Sequence, residues 1–266
     1  MSNNKTNQAS GCILTSAPQD DVRTVEGSTP AIHALIVAAG KGSRFGSELP
    51  KQYTKLGQCT LLQHSVARLA SSPQIDACLI VIAADDEMAR QLDYAMPVHF
   101  AIGGAERWQS VQAGVQALLA AGGQADDLVV IHDAARPTVP ARDVAAVIAA
   151  ASNEAYGAIL ASPVTDTLKA EQAVTTSDNN ETYISHTVSR AGLWQAQTPQ
   201  VFRLAALQEV LTYVAAHDLA ITDEASAFEA LSLPIKLVAG SRENIKLTYP
   251  EDHTLLAAIL AMRADE

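Results

Sequence analysis

The sequence predicts an α/β fold: a Rossmann-like three-layer sandwich with a mostly parallel central sheet and a projecting β-arm. Short, uniformly aliphatic runs bounded by loop signals alternate with helical patterns along most of the chain. Strands this apolar are typical of a parallel sheet that helices cover on both faces. One polar segment with β-branched flanks interrupts the alternation, and it predicts the arm.

The predicted strands and helices follow in order from residue 31. Aliphatic runs predict strands at residues 34–38, 79–83, 98–102, 128–132 and 158–161. Apolar residues at helical spacing predict helices at residues 61–71, 86–94, 106–121, 141–152, 203–216, 223–231 and 250–262. The last helix has a proline in its first turn, followed by Glu251 and Asp252, which favours a helix start. A late strand is predicted at residues 244–248, carrying one inward cation, Lys246.

The arm is predicted at about residues 166–190. β-Branched residues flank the polar residues 177–180, as in a hairpin with a polar tip. Because an isolated hairpin is only marginally stable in water, we expect it to pack on another surface. A second subunit is the simplest candidate, so the sequence predicts a homodimer formed through the arm.

Composition limits the domain organisation and the class of partner. The chain has 266 residues, of which 48% are hydrophobic, and this allows one large α/β domain with a sizeable core. Residues 1–30 are polar and are predicted to be a disordered N-terminal extension, whereas residues 31–266 are predicted to form a single domain. The formal net charge of −11 argues against binding to nucleic acid or to a membrane surface.

Cysteine use and hydropathy indicate a cytoplasmic protein. Cys12, Cys59 and Cys78 are scattered and form no CxxC pair, so neither a disulfide framework nor a zinc site is predicted. The polar N-terminus lacks the character of a signal peptide. No apolar stretch approaches the roughly 18 residues that span a bilayer.

The glycine-rich segment VAAGKGSRFGSELPKQY, at residues 37–53, follows the first predicted strand. Ligands of open α/β sheets bind at the carboxyl ends of the strands. Gly40, Gly42 and Gly46 permit close backbone approach, so amide N–H groups can face an anion. A tight turn does not need Arg44 and Lys51 beside its glycines, which favours a phosphate-binding loop over a merely solvated basic loop.

Two familiar phosphate-binding motifs do not fit this segment. The dinucleotide motif GxGxxG would need a glycine at position 45, where Phe45 stands. The Walker A motif needs Gly-Lys-Ser/Thr after four intervening residues, and Gly40 has no such sequel. The segment is therefore predicted to hold phosphate by another arrangement.

Further polar groups are predicted at the same edge of the sheet. Asp133 and Arg136 follow the buried run LVVI, where the carboxylate can bind Mg²⁺ or form an ion pair that orders the loop. Gly104 precedes a helix that carries Ser110 one turn in, and helix N-termini attract anions and polar ligand edges.

Together these groups suit a nucleoside triphosphate and predict nucleotidyl transfer. In that reaction a phosphate oxygen of one substrate attacks the α-phosphorus of the other, and pyrophosphate leaves. The attacking phosphate is already an anion at neutral pH, so neither a protein nucleophile nor a strong base is required. Catalysis then consists of positioning and of charge stabilisation by cations and a metal ion.

Eight segments in register resemble one known family. They are LIVAAGKGSRFG, LPKQY, GGAERWQSV, HDAARP, PVTDTLK, TVSRAGLWQAQTPQ, TDEAS and ENIKLTYPED, running from about residue 31 to the C-terminus. Through these segments the chain resembles the 2-C-methyl-D-erythritol 4-phosphate cytidylyltransferases, which belong to the glycosyltransferase-A-like nucleotidyltransferases. The resemblance implies synthesis of CDP-methylerythritol and pyrophosphate from CTP and methylerythritol phosphate, with Mg²⁺, in the non-mevalonate isoprenoid pathway.

The resemblance also implies roles for residues that bind CTP. Arg44 and Lys51 would stabilise the pentacoordinate transition state and the departing pyrophosphate. The nucleotide-binding residues implied are Ala38, Ala39, Gly40, Gly42, Gly104 and Ser110. One departure affects this group: many relatives carry Asp where this chain has Ala105, so a side-chain contact to the base would be absent.

A second set is implied for the sugar phosphate. Asp133 would lie by the ribose, the metal ion and the sugar phosphate. Thr167, Arg190 and Thr198 would surround methylerythritol phosphate, and Arg190 with Lys246 would position it for attack. In the family resembled, the arm interlocks two subunits, so Thr167 and Arg190 would serve the neighbouring subunit's site.

Other functions remain open from the sequence. A ribitol-5-phosphate cytidylyltransferase shares the fold and the basic loops. Another sugar-phosphate nucleotidyltransferase would use UTP or GTP, with the choice of base decided at residues 104–110 and 38–39. A non-catalytic nucleotide-binding module is a third alternative, but it needs none of the cations Arg44, Lys51, Arg190 and Lys246. Some relatives are fused to a cyclodiphosphate synthase; for this chain we expect a monofunctional transferase.

Overall fold

The computed structural model describes residues 29–40, 49–172 and 181–264. Its strands are β1 (Ile32–Val37), β2 (Lys55–Leu56), β3 (Cys59–Thr60), β4 (Cys78–Ile82), β5 (Val98–Ile102), β6 (Leu128–Asp133), β7 (Gly157–Pro163), β8 (Leu168–Glu171), β9 (Ile184–Val188), β10 (Trp194–Arg203) and β11 (Lys236–Ala239). Its α-helices are α1 (Leu61–Ala70), α2 (Arg107–Ala120), α3 (Ala141–Ser152), α4 (Leu204–His217), α5 (Glu224–Ala230) and α6 (Asp252–Ala264). The five strands predicted from aliphatic runs and all the predicted helices except residues 86–94 are confirmed, with ends that differ by at most two residues.

Seven strands form the central sheet in the order β11-β7-β10-β6-β1-β4-β5. Every neighbouring pair is parallel except the two pairs that β10 makes with β6 and β7. The prediction of a mostly parallel sheet is therefore confirmed. β1 and β6 lie side by side at the centre, and Val37 is level with Asp133 at their carboxyl ends.

Helices cover both faces of this sheet. Consecutive residues of β1 face opposite layers: Ile36 belongs to a buried cluster with Val66 of α1 and Val144 of α3. Leu35 belongs to the other cluster, with Val115 of α2 and Leu211 of α4. The inner strands β1, β4 and β6, together with β7, are largely buried on both faces, and their sequences are mainly aliphatic for this reason. The edge strands β5 and β11 are more exposed. This is the predicted three-layer sandwich.

The prediction of a helix at residues 86–94 is wrong. Only one short 3-10 turn forms there, at Ala89–Gln91. The Asp86 carboxylate accepts a hydrogen bond from the Ala89 N–H and another from the Tyr53 hydroxyl, and the Tyr94 hydroxyl donates to the Ala89 carbonyl. The Tyr94 hydroxyl thus occupies a carbonyl that a continuing helix would use, and the backbone is already extended at Leu92.

The strand predicted at residues 244–248 is also wrong. Its Lys246 lies in an irregular segment whose course is set by hydrogen bonds to β10 and to the residues after β6. The Asn244 side-chain amide donates to the Thr198 carbonyl at 2.8 Å, and the Leu247 N–H donates to the Ala135 carbonyl at 2.9 Å.

Two strands of the central sheet, β10 and β11, were also missed in the sequence analysis. β10 contains Pro199, and a proline argues against a central strand. The register of β10 with β7 shifts between Ala196 and Gln200, which accommodates this proline.

The strands of the predicted arm pair with each other. β8 and β9 form a two-stranded antiparallel sheet separate from the central one, with Leu168 opposite Val188. The predicted tip at residues 177–180 lies outside the described residues, as do residues 1–28 of the predicted N-terminal extension.

In the described part of the chain, no helix has the length and hydropathy to cross a membrane.

Candidate functional site

A cavity of about 190 Å³ opens at the carboxyl ends of β1 and β6, beside the N-terminus of α2. Its lining comes from residues 37–40 after β1, residues 51–52, residues 104–107, Ser110, residues 133–135 after β6, and Lys246. These segments are far apart in sequence and meet because parallel strands end at one edge of the sheet. This is the edge at which the ligand was predicted.

Backbone contacts hold the first two segments in place. The Ala38 N–H donates to the Val81 carbonyl at 2.8 Å, and the side-chain amide of the buried Gln52 donates to the Ala38 carbonyl at 2.7 Å. Gly103 lies against Ala39 and Ser110: a Cβ at position 103 would come within 2.8 Å of the Ala39 Cβ and 2.6 Å of the Ser110 Oγ. Glycine is needed there because the two loops approach closely.

Two lysines line the cavity from different segments. Lys51 lies on a 3-10 helix, Lys51–Tyr53, and its Nζ donates to the Leu247 carbonyl at 3.3 Å. Lys246 lies next to Leu247, and its Nζ donates to the Asp133 Oδ2 at 2.8 Å. The irregular segment therefore brings both ammonium groups to one cavity.

The Asp133 carboxylate faces three cations. Besides Lys246, Arg107 approaches Oδ1 at 3.2 Å and Arg136 approaches Oδ2 at 3.8 Å. Burial alone would raise the pKa of Asp133, but the charges of Arg107, Lys246 and Arg136 outweigh burial and hold it well below its usual value. The carboxylate is therefore ionised at neutral pH.

His132 and Thr198 fix the backbone at Asp133. The Asp133 N–H donates to the Thr198 hydroxyl at 3.0 Å, and this hydroxyl lies 3.0 Å from His132 Nδ1. His132 Nε2 lies 2.9 Å from the Arg136 carbonyl, so Nε2 carries the proton and Nδ1 accepts from Thr198. Burial lowers the pKa of His132 to about 4, and the imidazole is neutral at pH 7.

Sequence reasoning missed a second carboxylate near the site. Glu224, the first residue of α5, is completely buried, and its Oε1 accepts a hydrogen bond from Arg107 Nη1 at 2.5 Å. Arg107 thus bridges Glu224 and Asp133. Arg107 lies in the segment GGAERWQSV and Glu224 lies in TDEAS, and both segments were singled out from the sequence. No local pattern indicates that these two residues, 117 positions apart, are paired.

Most of the predicted site residues meet at this cavity. Those that line it are Ala38, Ala39, Gly40, Lys51, Gly104, Ser110, Asp133 and Lys246. Ala105, where many relatives of the resembled family carry Asp, lines it too. Gly42 and Arg44 lie outside the described residues, so their predicted roles stay predictions.

Three predicted residues do not line the cavity in the described chain. The buried Thr198 lies behind Asp133 and holds it through the hydrogen bond to its backbone. Thr167 and Arg190 flank the arm and are exposed, and the Arg190 guanidinium donates to the Thr165 carbonyl. Their predicted contacts with substrate stay predictions.

Two carboxylate residues among the described residues line the cavity, Glu106 and Asp133, and Asp133 is the one predicted to bind the metal ion. The described residues contain no group of three or more His, Cys, Asp or Glu side chains able to hold a metal ion among themselves. Mg²⁺ usually takes one or two protein carboxylates and completes its coordination with waters and substrate phosphates. The site therefore fits Mg²⁺ only as an ion that phosphate oxygens of a ligand help to hold.

Comparisons with known proteins agree with this chemistry. The family model described as 2-C-methyl-D-erythritol 4-phosphate cytidylyltransferase matches residues 32–262. A protein of that name from Psychrobacter arcticus is 59% identical over 259 residues, covering 88% of this chain and 92% of the relative. Another of that name from Chromobacterium violaceum is 44% identical over 233 residues, covering 86% and 98%.

Solved structures give the same result. A crystal structure of 4-diphosphocytidyl-2C-methyl-D-erythritol synthase is similar with a TM-score of 0.73 at 36% identity, covering 88% of this chain and 100% of that one. The 2-C-methyl-D-erythritol 4-phosphate cytidylyltransferase of Francisella tularensis is similar with a TM-score of 0.72 at 28% identity, covering 86% and 99%.

Proposed function

The chain belongs to the 2-C-methyl-D-erythritol 4-phosphate cytidylyltransferase family, and we infer that it transfers the cytidylyl group of CTP to 2-C-methyl-D-erythritol 4-phosphate. The products are 4-diphosphocytidyl-2-C-methyl-D-erythritol and pyrophosphate. The observation that carries this inference is the family match across residues 32–262. The cations and backbone groups at the sheet edge suit both phosphorylated substrates.

The reaction needs positioned charge more than it needs a protein nucleophile. An oxygen of the sugar phosphate forms a bond to the α-phosphorus of CTP, and the bond from that phosphorus to the bridging oxygen of the β-phosphate breaks. The electron pair leaves with pyrophosphate. Preorganised cations stabilise the charge that develops on the phosphorane-like transition state and on the leaving group.

We assign the two substrates to opposite parts of the cavity. The nucleotide would contact Ala38, Ala39, Gly40, Gly104 and Ser110, where the glycines allow close approach of backbone N–H groups. Lys51 would face the triphosphate, together with Arg44 and Gly42 from the adjoining loop. These assignments are supported by the cavity lining, which contains every one of them that lies in the described residues.

The sugar phosphate would bind on the side of Asp133 and Lys246. Lys246 would hold the attacking phosphate, and Asp133 would orient Lys246 through their 2.8 Å ion pair. Thr198 would act by fixing Asp133, since its hydroxyl accepts the Asp133 N–H. Thr167 and Arg190 would reach the phosphate of the neighbouring subunit.

That last assignment requires a homodimer formed through the arm. Support comes from exposed apolar side chains on and beside the arm, Tyr183, Ile184, Leu193 and Trp194, which are 54%, 64%, 40% and 40% exposed. An isolated two-stranded hairpin is marginally stable and gains stability by packing. Because both substrates are charged and do not cross membranes unaided, we also place the enzyme in the cytoplasm.

Mg²⁺ is proposed to bind with CTP, held by triphosphate oxygens and Asp133. When bound it supplies charge neutralisation to the phosphate oxygens. We expect chelation of divalent ions to abolish turnover and added Mg²⁺ to restore it. A direct readout is titration of Mn²⁺ by electron paramagnetic resonance: with CTP present, Asp133→Asn should weaken ion binding, and equal binding by both proteins would remove Asp133 as a ligand.

The experiment that tests the function is pyrophosphate release with CTP and Mg²⁺, offering methylerythritol 4-phosphate and ribitol 5-phosphate in parallel. We expect release with the first acceptor alone. Release with ribitol 5-phosphate alone would change the assigned substrate while keeping the reaction. A folded sample that binds CTP and releases no pyrophosphate with either acceptor would indicate a non-catalytic module.

A further inference from the structure

Glu224 is a buried carboxylate with an incomplete set of partners. Its side chain is inaccessible to solvent, and its Oε1 accepts from Arg107 at 2.5 Å. Its Oε2 receives no hydrogen bond from any residue that the structure describes. Burial raises the pKa of this carboxyl, and the charge of Arg107 opposes that change. A carboxylate in such surroundings is costly to bury, so packing alone does not explain it.

Helix α5 does not need this side chain for its own anchoring. The Asp223 carboxylate accepts from the Ser226 N–H at 3.0 Å, and the Ser226 hydroxyl accepts from the Asp223 N–H at 3.3 Å, which completes a capping box. Gln200 of β10 donates to Asp223 Oδ2 at 2.7 Å and accepts from the Ala225 N–H at 3.2 Å. The helix start is thus capped and tied to the sheet by neighbours of Glu224.

We propose that Glu224 is a positioning residue for cytidylyl transfer, which acts through Arg107 to orient the Asp133 carboxylate in the cavity. The proposal rests on the proposed function. Arg107 Nη1 is bonded to Glu224, while Nη2 and Nε lie 3.2 and 3.4 Å from Asp133 Oδ1. Because a guanidinium is planar and rigid, fixing one edge of it fixes the direction of the other.

A change in the orientation of the Asp133 carboxylate would displace the sugar phosphate, whose oxygen attacks CTP. Lys246 holds the other oxygen of Asp133 at 2.8 Å, so rotation of this carboxylate moves the ammonium that receives the sugar phosphate. A misplacement of about 1 Å in a reacting group can cost roughly 100-fold in rate. CTP lies on the opposite side of the cavity in our assignment, so its binding is expected to change little.

The test is Glu224→Gln, which keeps the side-chain volume and removes the charge. For pyrophosphate release we expect kcat to fall about tenfold or more while the KM for CTP stays within about twofold. Glu229→Gln is the matched control, because Glu229 is an exposed residue of the same helix, and it should keep wild-type kcat. Wild-type kcat in a folded Glu224→Gln protein overturns the proposal.

A double-mutant cycle separates this role from a general loss of packing. If Glu224 acts through Asp133, the double variant Asp133→Asn, Glu224→Gln should be no slower than Asp133→Asn alone. Losses that multiply would instead show that Glu224 acts independently, and the proposal would fail.

A second variant covers the case in which Glu224→Gln does not fold. Arg107→Lys keeps the charge but cannot bridge two carboxylates in the same way, so it should show the same selective loss of kcat. An Arg107→Lys protein with full kcat contradicts the proposal. Failure of the underlying function is distinct, because the wild-type protein would then release no pyrophosphate from CTP and methylerythritol 4-phosphate.

Discussion

Asp133 shows at the scale of one residue how a buried charge can be kept at a ligand site. Burying a carboxylate alone is expensive, and removing one partner of a buried pair typically costs about 3–5 kcal/mol. Here Arg107, Arg136 and Lys246 surround the carboxylate, with Glu224 on the far side of Arg107. Three cations and two carboxylates leave one positive charge in excess, which favours an anionic ligand.

Lys51 allows the catalytic role to be tested on one side chain. We expect Lys51→Gln to reduce the rate of pyrophosphate release by about 100-fold or more, because a cation that stabilises transition-state charge is lost. The thermal midpoint should change little, since Lys51 is only partly buried. Lys55→Gln is the control, as Lys55 is exposed four positions on in the chain. Equal rates for Lys51→Gln and the wild type would rule out this role.

His132 should make the free energy of unfolding depend on pH. Its pKa is lowered from 6.5 to about 4 in the folded protein, so the unfolded chain binds the proton more readily. The contribution of the neutral imidazole to the free energy of unfolding is fully present above pH 6.5 and is lost as the pH falls toward 4. The total loss is on the order of 3 kcal/mol.

Urea unfolding of the wild type and His132→Asn between pH 7 and 4 measures this contribution. The variant should lose less stability than the wild type over that range, because it has no imidazole to protonate. His217→Asn, at an exposed position on α4, should keep the wild-type dependence. Parallel curves for the wild type and His132→Asn would show that His132 does not cause the loss.

At the scale of one element, α2 places the N-terminal end of a helix at the cavity by packing tightly on the sheet. A Cβ at Gly114 would lie 2.4 Å from the Leu35 Cδ1 and 3.1 Å from the Val81 Cγ2, and Leu35 is fully buried. We therefore expect Gly114→Ala to destabilise the protein by about 1–3 kcal/mol, although alanine is the better helix former.

Denaturant unfolding checks this prediction. Gln116→Ala is the matched control at an exposed position of the same helix, and it should change the free energy of unfolding by less than about 0.5 kcal/mol. A Gly114→Ala protein as stable as the wild type would mean that Leu35 can move aside.

At the scale of the whole molecule, the arm decides whether the site is complete in one chain. We expect sedimentation velocity to give a species of twice the 28.0 kDa chain mass. Ile184→Asp places a charge on the exposed face of the arm and should shift the protein toward monomer. Because Thr167 and Arg190 would then be missing from the neighbouring site, turnover should fall by about 100-fold.

The control for this experiment is Met262→Asp, an equivalent change at a 74% exposed residue of α6, away from the arm. It should leave both the mass and the turnover unchanged. A wild-type protein that is monomeric at assay concentration and fully active would remove the arm from the site.

Much of this architecture follows from local patterns. Five aliphatic runs predict strands, and the four runs that form β1, β4, β6 and β7 are largely buried on both faces, as this pattern indicates. The fifth run forms β5 at the edge of the sheet and is only partly buried. Glycines and Lys51 after the first strand predict a phosphate site, because loops at the carboxyl ends of parallel strands share one edge of the sheet. Ala38, Ala39 and Gly40 after β1 and Asp133 at the end of β6 line the cavity for this reason.

Other features depend on contacts that no local pattern contains. β10 enters the middle of the sheet in spite of Pro199, and the cavity receives Lys246 from an irregular segment, not a strand. The charge network of the site pairs Arg107 with Glu224 and Lys246 with Asp133, across 117 and 113 positions of the chain. Hydrophobic periodicity reports how each segment is buried, whereas the pairing of buried charges is set by which segments the folded sheet brings together.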